Sequence, residues 1–214
     1  MLNPDPFERS TAATDLVLGL AAAAAAAYLK AAAPDEAVER ISPWAWSFAL
    51  IAMAAAAGAG AHGLAGPSRL LRGLRWVVTL ALAAAVSLFV VGAVHDLLGA
   101  AAARQALPFV LAAAGLVLIV SCLLHGMFRV LIVYEALALV FALAGYGGQA
   151  VAGSLPGAKW MTSGLLVSAA AAAIQAAGRA RLTRVWPLDH NGIFHLVQIP
   201  GLALLCKGLA APWS

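Results

Sequence analysis

Charge is what this sequence has least of. Asp, Glu, Lys and Arg make up 10% of its 214 residues, against about 25% in an ordinary soluble domain. With 64% hydrophobic residues and a mean hydropathy of +0.93, the chain cannot cover a water-facing surface, and lipid is its expected solvent. Cysteine is nearly absent as well. Cys122 and Cys206 both lie in apolar runs, and no CxxC occurs, which excludes a disulfide framework or a thiolate zinc site and leaves buried free thiols as the expectation. The N-terminus lacks the positive charge of a secretory signal: Asp5, Glu8 and Asp15 face only Arg9, so the first apolar run reads as a retained anchor. No internal repeat is evident, which argues against an inverted-repeat transporter. The net charge of +4 is no nucleic-acid signal, because the arginines sit in short clusters between apolar runs, where membrane orientation is set.

What is present in abundance is apolar runs of membrane-crossing length. Seven can be drawn, at about 14–32, 44–65, 75–98, 107–126, 129–148, 160–178 and 191–210. The fold expected is an all-α integral membrane protein, a single seven-transmembrane-helix bundle over 1–214. Trp44, Trp46, Trp76, Trp160, Trp186 and Trp213 all fall at proposed span ends, as an interfacial aromatic belt requires. One side of the membrane collects Arg9, Arg69, Arg72, Arg75, Arg129, Arg179, Arg181 and Arg184, and the other Lys30, Arg40, Arg104, Lys159 and Lys207. The positive-inside rule then puts the N-terminus inside and the C-terminus outside, and a bacterial cytoplasmic (inner) membrane is the expected location. The many Ala and Gly residues read as close helix-packing surface.

Ionisable residues within spans are costly and are functional candidates by default. Folding the spans up and down brings several to one depth near the inside. These are His62 late in span two, His125 late in span four, Glu135 about two turns into span five, and Asp189, His190 and His195 opening span seven. Asn191, His195, Gln198 and Leu202 are spaced i, i+4, i+7 and i+11 along one helix face, so Asn191 and Gln198 are expected to line a cavity in the bundle. His190 falls in the cap region of that helix if Asp189 or Asn191 caps it. His95 and Asp96 fall at the opposite end and read as an interfacial pair near the head groups.

Imidazoles from several helices beside a carboxylate suit zinc, which takes three protein ligands and leaves one position for water. Zinc lowers the pKa of that water to about 7, with Glu135 or Asp189 placed to take its proton or orient a ligand histidine. The chain resembles the superfamily of seven-helix membrane hydrolases that includes the alkaline ceramidases and the progestin and adiponectin receptors. Those proteins have a histidine late in helix two and an HxxxH pair early in helix seven. His62 and His195 match two of these positions; Asn191 stands where the other histidine is expected, with His190 one residue early. Gly58 replaces the serine expected four residues before His62, and no aspartate occurs early in span three. The resemblance implies a zinc-dependent hydrolase of a membrane lipid, cleaving an amide or related bond. Two other readings stand beside it. One is a haem protein with bis-histidine ligation by His62 and His125 or His195. The other is a non-catalytic transporter or sensor with a protonatable polar cavity.

Overall fold

The computed structural model describes residues 1–123, 127–183 and 186–211. Arg184, Trp213 and the candidate ligand His125 lie outside them. Among the described residues there are seven α-helices and no β-strand: α1 (Pro6–Ala32), α2 (Val38–Gly63), α3 (Ser68–Leu98), α4 (Ala100–Leu123), α5 (Met127–Ala152), α6 (Ala158–Ala177) and α7 (His190–Ala210). Seven helical segments, α1 to α7 in order, are long and apolar enough to cross a membrane.

Helix ends follow local chemistry more closely than they follow hydropathy. Asp5 caps α1, accepting from Phe7 N, and Pro6 supplies the preset φ at the first helical position. The helix therefore begins about two turns before the apolar run. In the same way α3 starts at Ser68, so most of "GPSRLLRGLR" is helical. An arginine ends an apolar run without ending the hydrogen-bond ladder. The break expected between the third and fourth apolar runs shrinks to one residue, Gly99, whose φ of 90° a residue with a Cβ adopts only with strain.

The helices close into a ring. α1 packs on α2 and α7, α2 on α3, α3 on α5, α5 on α6 and α6 on α7, while α4 lies against α3 and α5 outside the ring. Its buried residues are few, Ala103, Ala114 and Ser121, and Phe109, Leu116 and Ile119 face outward. Cys122 is exposed on this same helix, not buried as expected, and Cys206 is half-buried in α7; both are free thiols. Inside the ring, Leu18, Ile41, Phe48, Tyr146, Leu165, Leu202 and Leu209 form one core. Small residues set the α6–α7 approach: a Cβ on Gly164 would come within 2.9 Å of the Gly201 carbonyl oxygen. Without apolar solvent exclusion between helices in lipid, such close packing is what holds a bundle together.

Trp44 corrects the belt expectation. It is fully buried, stacked edge-on against Phe89 at 5.2 Å, and seated where Gly92 leaves room for its indole. It is a core residue at a helix end. Trp46, Trp160 and Trp186 are exposed, as a belt requires.

Candidate functional site

The start of α1, the end of α2 and the start of α7 meet at one end of the bundle, called here the near end. The chain before α1 folds back on α2: Asn3 N donates to Gly63 O at 2.9 Å and Asn3 Nδ2 to His62 O at 2.9 Å. That anchors the first turns of α1 beside His62. Glu8, Thr11 and Asp15 are spaced i, i+3 and i+7, so they share one α1 face, and each meets a different partner. Glu8 Oε2 accepts from His62 Nδ1 at 2.7 Å. Thr11 Oγ1 donates to Asp189 Oδ1 at 2.9 Å. Asp15 Oδ1 lies 3.2 Å from His195 Nε2, with both side chains below 10% exposed. Thr14 adds a contact of 3.0 Å to His195 Nδ1.

The protons of this cluster can be assigned by counting. A hydroxyl has one proton. That of Thr14 goes to the Thr11 carbonyl at 2.9 Å, so its oxygen accepts from His195 Nδ1–H. His195 Nε2 and Asp15 Oδ1 then share a single proton. Placed on either atom it leaves the pair with zero net charge, as acid plus neutral imidazole or as carboxylate plus imidazolium. Without that proton a carboxylate would face an imidazole lone pair in a buried site, which is strongly unfavourable. His62 and Asp189 are further ionisable neighbours of His195.

Thr14, His195 and Asp15 have the residue types of a nucleophile–base–orienter triad. With the hydroxyl proton donated to the Thr11 carbonyl, the imidazole takes no proton from Thr14 in this arrangement. Both ring nitrogens of His195 are engaged by α1; in His62 only Nδ1 is engaged, by Glu8, which leaves Nε2 open. Among the described residues no three His, Cys, Asp or Glu side chains are gathered so as to hold a metal ion.

Asp189 plays a helix-end role. It caps α7, accepting from Gly192 N at 2.9 Å. Burial works against its charge, but the Gly192 and Thr11 hydrogen bonds and nearby His190 outweigh it and hold the carboxyl below its ordinary value of 3.8. A depressed folded-state value means the stabilisation is complete above that ordinary value and fades as pH falls through the folded one. Asp189→Ala should cost about 0.5–2 kcal/mol and flatten the acid limb of stability, read as thermal unfolding in detergent at a series of pH values.

Gly58 gains a reason of its own. A Cβ there would lie 2.8 Å from Asp15 Oδ2, so glycine is what lets the carboxyl reach α7. Gly58→Ser, the residue the family resemblance expects, should push Asp15 off His195 and cost about 1–3 kcal/mol by overpacking. An unfolding midpoint equal to that of the native chain would contradict this.

Asn191 borders this cluster, its Nδ2 donating to Asp189 Oδ2 at 3.5 Å while its Oδ1 accepts from Gln175 of α6 at 3.4 Å; Gln198 and Glu135 lie apart from it. Gln198 Nε2 donates to Ser168 Oγ at 3.0 Å. Glu135 lines a cleft within the ring together with Gln198 and Ser168, one α7 turn deeper than His195. At the far end, Asp96 is paired inside the protein and not exposed at its surface. Its side chain is 1% exposed and lies 2.6 Å from Arg40 Nε, and Tyr146 OH donates to its other oxygen at 2.6 Å. His95 beside it has both ring nitrogens buried without a hydrogen-bond partner among the described residues.

Residues 10–212 match a family model. The chain belongs to DUF6962, a family of unknown function. In this DUF6962 member the matched span takes in Thr11, Thr14, Asp15, His195 and the cleft, and starts just after Glu8. No curated protein and no solved structure matches the chain.

The α1 half of the cluster escaped sequence reading. Glu8 and Asp15 entered it only as evidence against a signal peptide. The signal that could have found them is their helical spacing with Thr11, continued by Leu18 and Ala22 on the same face.

Proposed function

We propose that this chain is an integral membrane protein with a proton-responsive, non-catalytic site: a sensor or proton-linked carrier in which the Asp15–His195 pair titrates and α1 is the element it releases. The observation that carries the reading is that both ring nitrogens of His195 are taken by α1. A proton held between two helices at the membrane boundary acts as a reversible fastener, and buried protonatable chains in a membrane mark such sites. Loss of the shared proton at higher pH loosens α1 from α7; its return closes them.

The N-terminus and the near end face inside, following the arginine clusters, in a bacterial cytoplasmic membrane. The shared proton is then exchanged with the cytoplasmic side. The zinc-dependent lipid hydrolase, and haem ligation by His62 and His195, both need a His195 ring nitrogen that this arrangement spends on α1, although His62 keeps its Nε2 open.

Elemental analysis with a visible spectrum on the purified protein separates the three. The proton-responsive reading expects neither stoichiometric zinc nor haem absorption. Near-stoichiometric zinc that is lost in His62→Ala and His195→Ala would overturn it in favour of the hydrolase.

A further inference from the structure

The cleft inside the ring has no part in the near-end cluster. It lies between α2, α3, α5, α6 and α7 and holds about 90 Å³. Gln198 and Glu135 each lie eight residues into their helices, roughly 12 Å from the near end at 1.5 Å per residue, so the cleft sits near mid-bundle. Its walls are apolar, with Phe48, Phe89, Leu165 and Leu202 prominent among them. Into this surface Glu135 brings a carboxyl group. Among the described residues, no hydrogen bond or ion pair reaches that carboxyl.

A carboxylate in apolar surroundings without a partner is costly, and an intramembrane carboxylate of this kind commonly serves as a counter-ion. We propose that the cleft binds a small lipophilic amine, with Glu135 as the counter-charge and Gln198 and Ser168 as further hydrogen-bond acceptors. The chemistry selects against the alternatives. A carboxylic acid would place like charges together. A neutral alcohol would offer the protonated carboxyl only a neutral hydrogen bond and would leave the ionised one without a compensating charge. A hard divalent cation requires several oxygen ligands, and no group of three acidic or metal-ligating side chains surrounds the cleft among the described residues. An ammonium has donors for more than one acceptor and an apolar body for the walls.

The amine reaches the site in either of two ways. It enters as an ammonium opposite a carboxylate, or it arrives neutral through lipid and takes the carboxyl proton onto its nitrogen. Both end in the same ammonium–carboxylate pair of zero net charge. The second route neither gains nor loses a proton overall.

The test is calorimetric titration of the full chain in lipid nanodiscs with cyclohexylamine and with cyclohexanol, each corrected against empty nanodiscs. The two probes share shape and partition into lipid, and differ in the charge they can carry. A charge-assisted hydrogen bond gives the amine a preference of about 10- to 100-fold. Glu135→Gln should remove that preference while leaving the alcohol's weak binding in place. Equal binding of the two probes by the native chain would overturn the proposal without recourse to any variant. An amine preference that survives in folded Glu135→Gln would overturn it too. The outcome is independent of zinc content and of the behaviour of Asp15.

Discussion

Asp15→Ala should destabilise the bundle by about 1–3 kcal/mol, the cost of leaving a buried hydrogen-bonding group without its partner. For a chain of this size that corresponds to roughly 2–12 °C in the unfolding midpoint. The size of the effect follows from what is left behind. His195 loses the acceptor at 3.2 Å, remains buried, and has no second partner at Nε2 among the described residues. His195→Ala should cost a similar amount by exposing Asp15 to the same unpaired burial. The double replacement should cost much less than the sum, because each single change already removes the interaction. Thermal unfolding of the three variants gives the coupling directly. Additive effects would mean that the pair does not act as a unit and that α1 is held to α7 by packing alone.

Asp96→Ala is the second large effect, at the opposite end. Asp96 is the acceptor for both Arg40 Nε and the Tyr146 hydroxyl, each at 2.6 Å, and so ties the end of α3 to the starts or ends of α2 and α5. Removing it leaves the Tyr146 hydroxyl buried without that acceptor, at about 1–3 kcal/mol. Loss of the ion pair with a mostly buried guanidinium brings the total to about 3–5 kcal/mol. Tyr146→Phe isolates the smaller part and should cost about 1 kcal/mol. Because the network is far from Asp15, Asp96→Ala and Asp15→Ala should add within about 0.5 kcal/mol. A strong departure from additivity would show that the two ends communicate through the bundle.

How much of this was legible in the chain depends on the range of the interaction. The seven helices announce themselves, since each is a long local run of apolar residues. Their ends do not, because a cap such as Asp5 or Asp189 is a one-residue signal while hydropathy averages over many. The inward polar face of α7 is readable from the spacing of Asn191, His195 and Gln198, and in the structure these residues do turn to neighbouring helices. They turn to different ones, however: His195 to α1, Asn191 and Gln198 to α6. Spacing on a single helix cannot say which neighbour lies on which flank. Arg40, Asp96 and Tyr146 come from three helices and share no sequence pattern. Gly58 looks like one more small residue in an alanine-rich span until Asp15 is placed against it.

The proton-dependent fastening of α1 to α7 is tested most directly by a distance. Spin labels at Ala13→Cys and Leu196→Cys, in a background carrying Cys122→Ser and Cys206→Ala, sit on exposed positions of α1 and α7. Their separation is measured in nanodiscs between about pH 6 and about pH 9. The account predicts a short, narrow distance at the acid end and a longer or broader one at the alkaline end. In Asp15→Asn, which keeps the side-chain shape but removes the titrating carboxyl, that change should be lost. A distance that stays constant over the whole range in the native pair would contradict the central claim.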